Sequence, residues 1–264
     1  MSLLTIPYPY IDPIIFQIGP LAVRWYSIAY IGGLVFAWRY MLRLSEYFQD
    51  VASHDDIDDF LIWGTLGVVI GGRFGYIFFY NFDYFLMNPI EMLQVWKGGM
   101  SFHGGVLGVV ISGLIFAKQR GISILRFADI IACATPVGLF LGRLANFVNG
   151  ELFGRISDVP WAMVFPLGGP NPRHPSQIYE AVLEGFVLFI VLFMLSKKES
   201  IRNRPGMLMG VFFLGYALAR SFVELFRQPD AHIGLLAAGL TMGQWLSVPM
   251  IIGGLYFIMT SKRD

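Results

Sequence analysis

Several polar residues stand where a strongly apolar chain should have none, and their types limit the chemistry they could do. The densest group is Gly142-Arg143-Leu144-Ala145-Asn146-Phe147-Val148-Asn149-Gly150-Glu151-Leu152-Phe153-Gly154, at the end of a long apolar run. A central arginine costs roughly 2.5–3.5 kcal/mol on insertion scales, so such a segment needs a protein interior or a wet cavity around it. Arg220, Glu224 and Arg227 recur at i, i+4 and i+7, which puts them on one helical face. Two guanidiniums braced by one carboxylate are either a self-neutralising ladder at a helix end or a rigid anion clamp, since arginine's forked donors suit phosphate. Arg143 and Asn146, at i and i+3, form a second polar face. Arg73, in Gly71-Gly72-Arg73-Phe74-Gly75-Tyr76, is a further cation that could equally snorkel to headgroups. His103 lies between Gly98-Gly99 and Gly104-Gly105. It is either a hydrogen-bonded helix-start residue or a proton acceptor, because imidazole titrates near neutrality and glycines allow close approach. His174, ahead of Pro175-Ser176-Gln177-Ile178-Tyr179-Glu180, reads as a helix cap.

The elements that must position these groups read as membrane spans. Of 264 residues, 56% are hydrophobic and 14% charged, with mean hydropathy +0.61; a soluble domain carries about 25% charged residues. Seven apolar stretches approach the ~20 residues needed to cross hydrocarbon. They run from Leu21 to Leu42, Asp59 to Tyr80, Ser101 to Ala117, Leu125 to Phe147, Gln177 to Leu195, Gly206 to Phe226 and Thr241 to Thr260, the third being short. The expected fold is an all-α polytopic membrane protein of seven transmembrane helices, one integral domain over 1–264. Residues 150–176, rich in Pro and Gly, form a small external cap whose Trp161, Phe165 and Pro166 rest at the interface. The first nineteen residues lack a signal pattern and read as a retained amphipathic lead-in on the surface. Asp50 to Asp59 reads as a solvated loop. Cys133, the only cysteine, reads as a small buried apolar residue. Glycine pairs four apart (Gly67 with Gly71, Gly71 with Gly75, Gly104 with Gly108, Gly138 with Gly142, Gly206 with Gly210) suit close helix packing. Neither metal-ligand spacing nor a nucleotide loop is evident, and no cofactor and no nucleic-acid partner are expected.

Loop charge orients the chain. Arg39 and Arg43, then Lys118, Arg120 and Arg126, then Lys197, Lys198, Arg202 and Arg204, and finally Lys262 and Arg263 mark alternate loops and the tail as cytoplasmic. The N-terminus is then outside. In that orientation Arg73, His103, Arg143 to Glu151, Tyr179, Glu180, Arg220, Glu224 and Arg227 all fall in the outer half, which predicts one outer-leaflet cavity. Several arginines in such a cavity expect phosphate, and the plentiful phosphate there is a phospholipid headgroup.

With these blocks in order, the chain resembles the prolipoprotein diacylglyceryl transferases over essentially its full length. The Gly142–Gly154 segment carries the resemblance. Val23-Arg24-Trp25-Tyr26, Gly71-Gly72-Arg73, Gly98 to Gly105, Arg173 to Glu180 and Phe226-Arg227-Gln228-Pro229-Asp230 support it. The resemblance implies transfer of the diacylglyceryl group from phosphatidylglycerol to the lipobox cysteine of a preprolipoprotein, with a thioether formed and glycerol phosphate released. It implies an enzyme of the bacterial cytoplasmic (inner) membrane with its active site on the outer side. Arg143 and Arg220 are then expected at the donor phosphate, with Glu224 orienting Arg220 and Arg73 and Arg227 as further substrate-binding cations. Tyr26 and Asn146 would contact the glycerol headgroup or brace the arginines, and Glu151 and Gly154 would shape the turn after span four. His103 would accept the thiol proton or hold the reacting group; the two roles stay open. A phospholipid or anion transporter, or a non-catalytic lipid-binding factor, would also want an arginine-lined cavity. The transporter fits less well because the inner halves of the spans are almost purely apolar.

Overall fold

The computed structural model describes residues 6–19, 21–48, 51–229, 236 and 239–262. Residues 1–5 of the lead-in, Asp50, Asp230 and Arg263 lie outside the described residues. In hydrocarbon each backbone N–H and C=O must be satisfied within its own segment, so long apolar runs become helices. A hairpin of β1 (Ile14–Ile18) and β2 (Leu21–Arg24) comes first. It is followed by α1 (Trp25–Ser45), α2 (His54–Tyr80), α3 (Phe82–Met87), two 3₁₀ turns at Pro89–Leu93 and Val95–Lys97, α4 (Phe102–Arg120) and α5 (Ile124–Val148). Then come α6 (Ser176–Ser196), the short α7 (Glu199–Arg202), α8 (Met207–Val223) and α9 (Met242–Thr260). Among them α2, α5, α6 and α9 are long and apolar enough to cross a membrane, and α8 is a shorter apolar helix. The surface is inverted relative to a water-soluble protein. Phe79 and Met259 are 81% and 80% exposed while Glu180, Glu184 and Glu224 are buried, the pattern expected when lipid is the solvent.

Three boundaries differ from the sequence expectation. Residues 14–24 are not a plain surface lead-in running into a helix at Leu21: β1 and β2 pair antiparallel, Ile18 opposite Leu21 and Gln17 opposite Ala22, and the helix starts at Trp25. α2 starts five residues before Asp59, inside the supposed loop. Ser53 accepts from the Asp56 N–H while the Asp56 carboxylate accepts from the Ser53 N–H, a reciprocal cap, and Asp55 and Asp56 favour the positive helix end. α8 stops at Val223, because the next residues are taken up in backbone pairing with the cap, Arg155 N–H donating to Phe226 O and Gly154 bridging Arg227.

The chain divides into two compact units. The unit of residues 41–128 is built on α2 against α4. A Cβ placed on Gly75 would sit 2.7 Å from Gly104 Cα, and one on Gly67 2.6 Å from Ser112 Oγ, so these glycines let the two backbones touch. Phe60, Phe116 and Phe127 fill its core, and Arg120 pairs with Asp56 and Asp59.

The other unit, residues 1–40 and 129–264, carries α6, α8, α9, most of α5 and the segment between α5 and α6. α8 and α9 approach through Gly210 and Gly254. By contrast, a Cβ on Gly142 would meet nothing within 4 Å, so that glycine is not a packing contact. Buried Asp129 accepts from the backbone N–H of Gly206 and Met209, both at 2.7 Å, capping the start of α8. At the far end of α9 Arg204 donates to Ser261 O and Ile258 O. The cap segment has its own small core: Phe165, fully buried on Tyr8, Phe147 and Phe153, is an anchor and not the interfacial residue expected, whereas Trp161 is half exposed.

Candidate active site

On α6, Glu180 and Glu184 stand one turn apart and share a face. The stretch Ala181–Val187 winds as a π-helix, a local widening that recurs at functional sites. Gly185 lies against Phe140 of α5, where a Cβ would come within 2.6 Å of the Phe140 Cβ and 2.8 Å of its Cα, so the two helices close tightly beside the carboxylates. Both carboxyl groups are fully buried.

Two arginines from other helices converge on this pair. Arg143 of α5 puts Nη1 3.3 Å from Glu180 Oε2 and Nη2 3.3 Å from Glu184 Oε2, one nitrogen to each carboxylate. Arg220 of α8 pairs through Nη1 with Glu180 and, at 3.7 Å, with Glu184 Oε1, while its Nη2 lies 2.5 Å from Glu224 Oε1. Just past α8, Arg227 stands 3.4 Å from Glu224 Oε1 and 3.8 Å from Glu180 Oε1. Three guanidiniums thus meet three carboxylates in one buried network. Isolated, each charge would be prohibitive; matched, the network holds, and removing one partner of such a buried pair typically costs about 3–5 kcal/mol. Arg143 and Arg220 keep 16% and 13% of their side chains exposed, so neither side chain is fully sealed off although both are held by carboxylates. Gly243 of α9 packs on the same network, a Cβ there coming within 2.5 Å of Glu224 Oε1.

The turn after α5 is bound just as closely. Glu151 Oε1 accepts from Asn146 Nδ2 at 2.9 Å and Asn149 Nδ2 at 3.1 Å, and the Glu151 carbonyl accepts from Gln177 Nε2 at 2.6 Å. The turn needs Gly150 at φ 65° and holds Leu152 at φ 56°, a left-handed backbone that is strained for a branched side chain. Tyr8 Oη donates into the carbonyls of Phe147 and Val148, closing the end of the helix that carries Arg143. Gly154 has no room for a side chain: a Cβ would lie 2.6 Å from both His174 Cβ and Phe226 O. Arg155 donates to the carbonyls of Arg227 and Glu224, a cation at the negative end of α8. The His174 Nδ1 lies 3.0 Å from Tyr179 Oη, which also accepts from Trp161 Nε1. Partial burial holds the His174 imidazole below its ordinary range.

The sequence-derived candidates divide accordingly. Arg143, Arg220, Glu224 and Arg227 meet in one network, and Asn146, Glu151 and Gly154 form the adjoining turn. Tyr26, the second residue of α1, is exposed in the same unit. Arg73 and His103 belong to the 41–128 unit. Arg73 is buried and its donors are committed to backbone: Nε to Met92 O at 2.9 Å, Nη1 to Gly98 O at 2.5 Å, Nη2 to Glu91 O at 2.5 Å. That geometry holds the 89–99 loop, and the buried guanidinium does not snorkel to the surface. His103 is exposed at the second position of α4, after the Ser101 cap. Sequence reasoning missed Glu184, Tyr8, Arg155 and Gly243. Only Glu184 left a signal, an acid four residues after Glu180 in an otherwise apolar helix.

Comparison with known proteins gives one consistent answer. The family model described as prolipoprotein diacylglyceryl transferase matches residues 13–260. A phosphatidylglycerol–prolipoprotein diacylglyceryl transferase of Paramagnetospirillum magneticum is 56% identical, over 97% of this chain and 96% of its own. Proteins of the same name from Rhodospirillum rubrum and Azospirillum brasilense are 52% and 51% identical, each over 99% of this chain and 96% and 98% of their own.

Proposed function

The chain belongs to the prolipoprotein diacylglyceryl transferase family, and from that premise we propose the reaction and the residues that carry it. The enzyme transfers the diacylglyceryl group of phosphatidylglycerol to the cysteine thiol of a prolipoprotein. The sulfur, as thiolate, bonds to the glyceryl carbon that bears the headgroup phosphate. The C–O bond at that carbon breaks, its electron pair leaves on the phosphate oxygen, and glycerol phosphate departs. The thiol proton passes to a base or to water, since a thiol of pKa near ~8.5 is a poor nucleophile until ionised.

The observation that carries this reading is the placing of Arg143 and Arg220 on shared buried carboxylates while each arginine side chain keeps some exposure. Donors fixed before the reaction stabilise developing charge without reorganisation, and in a low-dielectric site they act strongly. Arg143 and Arg220 take the departing phosphate; Glu224 orients Arg220, and Arg227 completes the charge balance. Asn146, braced by Glu151, and Tyr26 contact the glycerol headgroup, and Gly154 lets the cap seat against α8. Arg73 serves as a loop clamp. His103, assigned on family resemblance, accepts the thiol proton or holds the reacting group. Loss of its imidazole in His103→Gln with partial rescue at high pH would mark the base, and a pH-independent loss the positioning role.

The topology belongs to the same reading: seven spans, N-terminus outside, C-terminus cytoplasmic, one integral domain with the 150–176 cap external, and a site opening to the outer leaflet of the bacterial inner membrane. Loop charge asymmetry supports it. The activity itself is tested by incubating purified protein with phosphatidylglycerol and a lipobox peptide and weighing the peptide by mass spectrometry. The expected product is heavier by one diacylglyceryl group; an unmodified peptide with a correctly folded enzyme overturns the reaction.

A further inference from the structure

The buried network is already neutral, and that sets a problem for an anionic substrate. Arg143, Arg220 and Arg227 face Glu180, Glu184 and Glu224. A phosphodiester drawn to the arginines would leave the cluster with a surplus negative charge in a site sheltered from water, where an unbalanced charge is costly. One carboxylate must therefore change its state or its partners.

The geometry identifies which one. Glu180 accepts from Arg220 through Oε1 in a short contact, and its Oε2 faces Arg143 at 3.3 Å. Glu224 Oε1 is shared by Arg220 at 2.5 Å and Arg227 at 3.4 Å. Glu184 is held least. Each of the three carboxylates keeps one oxygen without a hydrogen bond, but Glu184 alone has no close arginine contact: it reaches Arg143 at 3.3 Å, and its Oε1 stands 3.7 Å from Arg220, although the side chain is wholly buried. Its surroundings are Arg143 from α5, Arg220 and Tyr216 from α8, and Glu180 one turn earlier on α6, so a like charge flanks it on its own helix. It lies within the π-helical stretch, and it touches both arginines expected to take the phosphate.

We propose that Glu184 is the site's exchangeable counter-charge: its carboxylate balances Arg143 and Arg220 before a phosphate ester binds, and it takes up a proton when the phosphate replaces it. The change is carboxylate plus proton to carboxylic acid on binding, and the reverse when glycerol phosphate leaves. The proposal rests on the assignment of Arg143 and Arg220 to phosphate. Glu184 acts through those arginines and is a positioning residue.

Calorimetric titration of a short-chain phosphatidylglycerol into the protein in phosphatidylcholine nanodiscs, repeated at pH 7 in buffers of different ionisation enthalpy, counts the protons taken up on binding. The expected count is about one per lipid for the native protein and close to zero for Glu184→Gln, the neutral isostere, with binding retained. A count near zero in the native protein overturns the proposal by itself, so it stays falsifiable even if Glu184→Gln does not fold. Equal counts in the native and Glu184→Gln proteins also overturn it. Soluble glycerol phosphate, titrated separately, should show the same proton uptake if the phosphate ester alone is recognised. Uptake restricted to phosphatidylglycerol would tie the exchange to the lipid, and a diacylglycerol, which has no phosphate, should take up no proton. Normal phosphatidylglycerol binding in both Arg143→Gln and Arg220→Gln would sink the arginine assignment instead, a result distinct from failure at Glu184.

Discussion

At the scale of single residues, the proposed chemistry depends on forked donors that engage two groups at once. Arg143 contacts Glu180 through one nitrogen and Glu184 through the other. Lysine would keep the charge but could hold only one carboxylate well, and could not also offer a second fixed donor to phosphate. Arg143→Lys should therefore accumulate in the membrane yet lose roughly 10²–10³ in turnover, the usual range for one lost preorganised donor. Turnover near that of the native enzyme in the lipobox-peptide assay would make Arg143 a structural anchor. His174 gives a pH prediction of opposite character. Burial disfavours its charged form, so its folded pKa lies below the unfolded value of about 6.5. As pH falls through that range the unfolded chain takes up the proton first. His174 therefore leaves full stability above about pH 6.5 and subtracts from it below, levelling off once the folded pKa is passed. The acid-induced fall in melting temperature should be smaller in His174→Gln than in the native protein; identical pH profiles would refute the link.

At the scale of elements, glycine decides which helices touch. Gly71 faces Gly104 and Gly108 of α4, with a Cβ on Gly71 falling 2.7 Å from Gly108 Cα. Backbone cannot yield as a side chain does, so Gly71→Ala must push α2 and α4 apart, at the ~1–3 kcal/mol typical of overpacking. Gly142→Ala meets open space and replaces a residue that weakens a helix interior, so it should hold or raise stability. Thermal unfolding in detergent separates the two, and equal melting temperatures would show that the α2–α4 approach is not limited by glycine. The seven apolar stretches in the sequence coincide with helices to within a few residues, because apolar length is a local property that each segment satisfies by itself. Their ends were less legible. The start of α2 depends on the Ser53–Asp56 reciprocal cap, and the end of α8 on pairing with Gly154 and Arg155, more than sixty residues earlier in the chain.

At the scale of the whole molecule, charge in the loops gives the sidedness prediction. A cysteine introduced near Gly168 should react with an impermeant thiol reagent outside intact spheroplasts, and one near Asn203 should not. The cap around Gly168 is pinned to Phe165 and Arg173, so its exposed neighbours Leu167 and Gly169 are the better labelling positions. Reversed labelling would turn the polar residues toward the cytoplasm and end the argument for an outer-leaflet site.

Composition and apolar length were enough, in the sequence alone, to establish a helical membrane protein, and the Gly142–Gly154 segment together with its five supporting blocks to mark the family resemblance. Arg143, Arg220, Glu224 and Arg227 were also legible there, because a charge in an apolar segment stands out against its immediate neighbours. Which charge meets which was not. Glu184 matters through Arg143 and Arg220, forty-one residues before it and thirty-six after, and Arg73, read as a cation facing substrate or lipid, spends its donors on the carbonyls of Glu91, Met92 and Gly98. A single sequence shows where the cost of a buried charge is incurred; only the tertiary structure decides which partner offsets it, since that partner arrives from a different helix or loop.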